Sequence, residues 1–177
     1  MTLKEQATQN LKDVKGILDE LGVTFWLDAG TLLGAYRDKD FCAGDEDDID
    51  LSTWEGYGVL RPQIVAKAQG LGFRHLHDWP LEICLEREGS RVDIFFNGKK
   101  GTEAYRHLYQ GQDILRYLVV PARYYERLVL YEFKGERFYI PSPVEEYLEM
   151  KYGDWKTPVH RRDYCFSMDK LLRESYE

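Results

Sequence analysis

Cysteine is scarce and poorly placed for cross-linking: the three residues, Cys42, Cys84 and Cys165, are far apart and form no C-x-x-C pair. A disulfide framework or zinc knuckle is therefore not the organising device, and a reducing, intracellular setting fits. Long apolar runs are missing as well. No stretch approaches the roughly 18 residues that a bilayer span needs, and the opening "MTLKEQATQNLKDVKGILDELG" is too polar for a signal peptide. The expectation is a cytoplasmic protein with no membrane insertion. Positive charge is in deficit, with a formal net charge of −7, and nothing forms a basic face for tracking a phosphate backbone, so nucleic acid is not an expected partner. Repeats, low-complexity tracts and linkers are lacking too, so residues 1–177 read as one domain. No feature specifies an oligomeric state.

What is present is patterned. Ala7, Leu11, Val14, Leu18 and Leu21 recur at three- and four-residue steps and predict a first helix ending at Gly22. "VTFWLD" (23–28) reads as a strand, and "TLLGAYR" after Gly30 as a short helix whose N-cap is Asp28. "DIDLST" (48–53) alternates acids with Ile49 and Leu51, the mark of a strand with one polar and one buried face. A helix is expected from about Pro62 to Leu71. "LEICLER" and "RVDIFF" are joined by "EGS" as a hairpin, and "RLVLYEFKGERFYIP" turns at Lys134 and Gly135 as a second one. "PVEEYLEMKYG" and the terminal "RRDYCFSMDKLLRESYE" read as helices. Together these predict an α/β (α+β) fold, a mixed β-sheet flanked by helices.

Negative charge is concentrated. Asp45, Glu46, Asp47, Asp48 and Asp50 fall within six positions just after the Gly30–Thr31 turn. On a strand, Asp48 and Asp50 point to one face about 6.5 Å apart, a spacing that suits two carboxylates sharing a metal. Oxygen ligands suit Mg²⁺ (or Mn²⁺), and paired divalent ions support phosphoryl displacement. Asp93 interrupts the apolar "RVDIFF" and is the candidate third ligand, since an acid there is costly without a cation; a structural pairing with Arg91 is the alternative. Gly30 and Thr31 open a helix and so present N–H groups to a phosphate. Asp45 and Glu46 precede the alternation and are expected in solvent, while Asp47 reads as a loop acid or an outer ligand. An EF-hand loop does not fit, because the sixth position counted from Asp45 is Asp50 and not glycine. His75 and His77 have ligand spacing on a strand but no cysteine beside them, and read as surface histidines. In "YGDWKTPVHRR", Gly153 ends a helix and Trp155 packs on the core or stacks on a base, with His160, Arg161 and Arg162 offering cations to a diphosphate.

"GTLLGAYRDKDF" followed by "DEDDIDLS", then "RVDIFF" and a late "YGDW", resembles the LicD and fukutin-related phosphotransferases, a branch of the nucleotidyltransferase fold shared with polymerase β. The resemblance implies that Asp48, Asp50 and Asp93 hold divalent metal and serve as the catalytic acids. It also implies that Gly30 and Thr31 cradle nucleotide phosphates, and its family position adds Arg37 as a donor-phosphate contact. Members with known activity pass phosphocholine or a sugar-alcohol phosphate from a CDP-activated donor to a glycan hydroxyl, and related chemistry is the expectation here. The chain departs from many relatives at "CAGDED", where Gly44 and extra acids replace a Pro-Trp pair. Two rivals remain. One is a nucleotidyltransferase moving an NMP from an NTP to a small molecule; the other is a non-catalytic nucleotide- or metal-binding module.

Overall fold

A computed structural model describes residues 1–160 and 169–176. Helix α1 (Leu3–Glu20) starts at Thr2, whose hydroxyl accepts the Glu5 N–H while the Glu5 carboxylate accepts the Thr2 N–H, and it buries the apolar stripe read from the sequence. Strand β1 (Phe25–Leu27) runs into α2 (Ala29–Arg37), and β2 (Asp48–Trp54) follows. A 3-10 turn (Glu55–Leu60) and α3 (Arg61–Gly70) lead to the antiparallel strands β3 (Arg74–Trp79), β4 (Glu82–Arg87) and β5 (Ser90–Lys100). Then come β6 (Glu103–Gln110), β7 (Asp113–Pro121), α4 (Arg123–Glu126), β8 (Val129–Phe133), β9 (Glu136–Ile140), α5 (Val144–Tyr152) and the two-residue β10 (Leu172–Arg173).

The strands form one ten-stranded mixed sheet in the order β10-β7-β6-β5-β2-β1-β9-β8, with β4 on the other edge of β5 and β3 beyond it. The crossover through α3 makes β2 and β5 parallel, in a register that sets Asp50 opposite Asp93 and Asp48 opposite Arg91. Besides β2, strand β5 is long enough to serve two further partners. Residues 90–95 pair with β4, and 98–100 pair with β6. Alternation then divides the central sheet: Ile49, Leu51, Val92, Ile94 and Phe96 are fully buried in the core with α1 and α3, and the acids lie on the opposite face. The sequence order of elements thereby places three acids from two neighbouring strands side by side.

Two expectations need correction. The terminal segment was expected to be helical, yet Asp169–Leu171 form a 3-10 turn and Leu172–Arg173 pair antiparallel with β7; positions 161–168 lie outside the described residues. Asp45 was expected in solvent but is buried. Its N–H bonds to the Cys42 carbonyl, and its carbonyl accepts the Asp48 N–H, a turn that folds the side chain back against α2. Cys42 and Cys84 are buried, and no described helix is long and apolar enough to cross a membrane.

Candidate metal and phosphate site

The start of α2 is built around Asp28. Its side chain accepts the Ala29 N–H at 2.7 Å as the helix N-cap, and Ala29 takes φ 44, a left-handed conformation that costs a non-glycine residue about 1–2 kcal/mol. This turn directs the Gly30 N–H at Asp50 Oδ2, 3.2 Å away. Thr31 is buried, and its hydroxyl accepts the Asp50 N–H at 2.8 Å. Both residues of the glycine turn therefore hold Asp50 in place. A β-carbon at position 30 would fall 2.5 Å from Asp45 Oδ2, so any larger residue there would push the Asp45 carboxylate off α2.

Asp48, Asp50 and Asp93 each offer a carboxylate oxygen within 4.8 Å of the others, a grouping that can hold a metal ion. Asp48 Oδ1 accepts from Arg91 Nη2 at 2.7 Å and Nε at 3.2 Å, and Arg91 Nε is 3.2 Å from Asp93 Oδ2. Asp93 Oδ1 is buried with no hydrogen-bond partner, a costly position for a carboxylate oxygen unless a cation sits beside it. Burial, then the Asp48 charge, pushes the Asp50 carboxyl well above the usual carboxylate range. Burial raises Asp93 to about 6 against the pull of the Cys84 thiol and Arg91. Glu82, on β4 and only 7% exposed, is raised to about 7 by burial and by Asp93. Acids that resist ionisation together on one face are a site short of positive charge.

Behind the triad lies a second, fully buried cluster. Asp28 accepts from Ser52 Oγ at 2.8 Å, Tyr147 Oη at 2.6 Å and Lys151 Nζ at 3.0 Å, and Arg106 Nη1 is 3.7 Å away. Burial alone would raise the Asp28 carboxyl, but Lys151, Arg106 and these hydrogen bonds outweigh it and hold it well below its ordinary value. Sequence reasoning found Asp28 only as a cap and missed Glu82, Arg106 and Lys151. A signal existed for two of them: Arg106 stands at an inward position between Ala104 and Leu108 on β6, and Lys151 continues the buried stripe of Tyr147 and Leu148 on α5.

Arg37, in the last turn of α2, makes two bonds of 2.8 Å to Asp38 and reaches the Trp155 carbonyl at 3.4 Å. Trp155 is buried and packs on Tyr36, with ring centroids 5.7 Å apart, as the packing alternative anticipates. Arg161 and Arg162 lie outside the described residues. His75 and His77 sit on β3, where His77 stacks on Trp79 at 4.3 Å.

The chain is similar in sequence and in fold to known proteins. The mouse ribitol-5-phosphate transferase FKTN is 26% identical over 172 residues, covering 93% of this chain and 36% of the mouse protein. The human FKTN is 25% identical over the same share of each chain, and the uncharacterized protein RT0683 of Rickettsia typhi is 28% identical over 152 residues, 83% of this chain and 45% of its own. The chain thus spans about a third of the length of the FKTN proteins. In fold it is similar to the antibiotic-resistance factor ANT(2'')-Ia in solution, with a TM-score of 0.54 at 15% identity, covering 95% of this chain and 85% of that one. The crystal structure of ANT(2'')-Ia in complex with adenylyl-2''-tobramycin gives 0.52 at 17% identity, covering 94% and 90%. The family described as LicD/FKTN/FKRP, nucleotidyltransferase domain, matches residues 22–143, which contain the glycine turn and all three aspartates, and the chain belongs to that family.

Proposed function

We propose that this chain is a divalent-metal-dependent transferase that moves a phosphate-linked group, of the phosphocholine or alditol phosphate type, from a CDP-activated donor to a hydroxyl of a glycan acceptor. The observation that carries the reading is the triad of Asp48, Asp50 and Asp93 with oxygens within 4.8 Å, on parallel strands and beside a helix start. The donor set is all carboxylate oxygen and fits Mg²⁺ or Mn²⁺, and the buried Asp93 Oδ1, which has no hydrogen-bond partner, supports a cation there. When bound, the ion neutralises phosphate charge and polarises the reacting oxygens. The chain's own residues do the rest. Asp48, Asp50 and Asp93 fix the ion's place, Arg91 bridges Asp48 and Asp93, and the Gly30–Thr31 turn orients Asp50 and borders the donor phosphates at the start of α2. In the transfer, the acceptor oxygen bonds to the donor's distal phosphorus, the phosphoanhydride bond breaks, CMP leaves, and the hydroxyl proton passes to the carboxylate cluster.

The name of the FKTN relatives, ribitol-5-phosphate transferase, favours an alditol phosphate. Likeness to ANT(2'')-Ia, seen with an adenylylated product, favours the second reading, transfer of an NMP from an NTP. Products separate the two. With CDP-ribitol or CDP-choline and Mg²⁺, the expected result is release of CMP, lost by more than 100-fold in Asp50→Asn at an unchanged circular-dichroism spectrum. Release of pyrophosphate from an NTP would transfer the assignment to the second reading, and Asp50→Asn at wild-type rate would remove the triad from catalysis.

A further inference from the structure

Arg106 is an anomaly. It stands on β6, which joins the central sheet only through the far end of β5, yet its guanidinium lies within electrostatic reach of Asp28, Asp50, Glu82 and Asp93. The residue is 6% exposed, and its guanidinium carbon lies over the Phe95 ring, 3.9 Å from the centroid. Among the described residues its one ionic contact is the loose 3.7 Å approach to Asp28, which already holds Lys151 at 3.0 Å. Nε and Nη1 are enclosed and have no hydrogen-bond partner.

A guanidinium carries five N–H donors in a planar fork, and leaving them unmade under burial is costly. The face of the Phe95 ring attracts the cation but cannot satisfy the N–H donors at the edges of the fork. The arrangement is complete only when an acceptor with several oxygens enters between Arg106 and the aspartates. Among the described residues no carboxylate supplies it, since Nε and Nη1 have no hydrogen-bond partner and the ionic approach of Asp28 is 3.7 Å.

We propose that Arg106 is the direct protein ligand of the donor's diphosphate, gripping non-bridging phosphate oxygens with its fork on the side away from the triad. This rests on the reading above that a phosphate-bearing donor binds at the triad, and it deepens it by naming the side chain that holds the anion. Asp28 then serves as a parking partner. It keeps the guanidinium charged and oriented while no phosphate is bound, at a distance long enough for easy exchange, while Lys151 remains to neutralise Asp28 when Arg106 turns to the anion.

The test separates metal from anion. Mn²⁺ and inorganic pyrophosphate are titrated calorimetrically, each alone and together, into the wild type, Arg106→Met and Arg106→Lys. Removing a cation beside acids leaves Mn²⁺ binding equal or tighter, whereas a lost phosphate ligand weakens pyrophosphate at least tenfold in Arg106→Met, with partial rescue in Arg106→Lys. A folded Arg106→Met with wild-type pyrophosphate affinity overturns the proposal, and so does a parallel loss of Mn²⁺ and pyrophosphate, which marks a structural role. If Arg106→Met does not fold, the Arg106 Nε–Hε resonance of the wild type decides: a shift on saturation with pyrophosphate supports the contact, and an unmoved signal overturns it. Absence of Mn²⁺ binding in the wild type defeats the metal reading alone, since pyrophosphate binding that depends on Arg106 would persist.

Discussion

Lys151 is fully buried, its ammonium facing the equally buried Asp28 at 3.0 Å, and burial pulls its pKa down while Asp28 opposes the shift. Such a pair gives little net stability over an apolar pair of the same shape, but removing one partner strands the other. Lys151→Met is therefore expected to cost about 3 kcal/mol in urea denaturation, near the low end for a broken buried pair because Arg106 still shares Asp28. The double variant Asp28→Asn/Lys151→Met is expected to recover part of that loss. A cost below about 1 kcal/mol for Lys151→Met would mean that the Asp28 charge is neutralised by other groups and that the cluster is not held as a unit.

At the scale of elements, the segment between α2 and β2 sets how the acids arrive. A β-carbon on Gly34 would lie 2.5 Å from both the Asp40 carbonyl oxygen and the Cys42 nitrogen, which are backbone atoms with no flexible end to move aside. Gly34→Ala is expected to destabilise the protein by about 1–3 kcal/mol and to weaken Mn²⁺ binding, because pushing the segment off α2 displaces the approach to Asp48. Gly16 in α1 is the internal control. Nothing lies within 4 Å of its added β-carbon, so Gly16→Ala is expected to stabilise by about 0.5–1 kcal/mol in the same denaturation assay. Elements with one clear period were legible in the sequence: the 3.6-residue stripe of α1, the Asp-Ile-Asp-Leu alternation of β2, and the glycine turns between β4 and β5 and between β8 and β9. The β6–β7 pair was not. Its alternation sets Tyr105, His107 and Tyr109 against Ala104, Arg106 and Leu108, so neither face reads as plainly polar. For the same reason the triad was readable and its surroundings were not. Asp48 and Asp50 announce themselves two residues apart, whereas Lys151 and Asp28 meet across 123 positions, and Asp45 is folded inward by a turn that no pattern marks.

For the whole molecule, the raised carboxyls on one sheet face tie stability to pH and to metal. Asp93 moves from an ordinary 3.8 to about 6 and Glu82 from 4.5 to about 7, so both bind protons more tightly in the folded state than in the unfolded one. Their stabilising contribution is complete below about pH 4 and is lost as pH rises through 6 and then 7. Metal-free protein is therefore expected to lose on the order of 5 °C in Tm between pH 5 and pH 7.5, from a few kcal/mol of linkage. A divalent ion binds the ionised acids, so the gain in Tm from added Mg²⁺ is expected to be small at pH 5 and to grow toward pH 7.5. Glu82→Gln should flatten the upper limb of the metal-free curve, near pH 7, and leave the lower limb set by Asp93. Differential scanning calorimetry in buffers of low ionization enthalpy, with EDTA or with Mg²⁺, resolves both limbs. A metal-free Tm that climbs between pH 5 and 7.5 would show that the acids are already neutralised by Arg91, Arg106 and Lys151, and that the sheet face has no deficit of positive charge for an ion to fill.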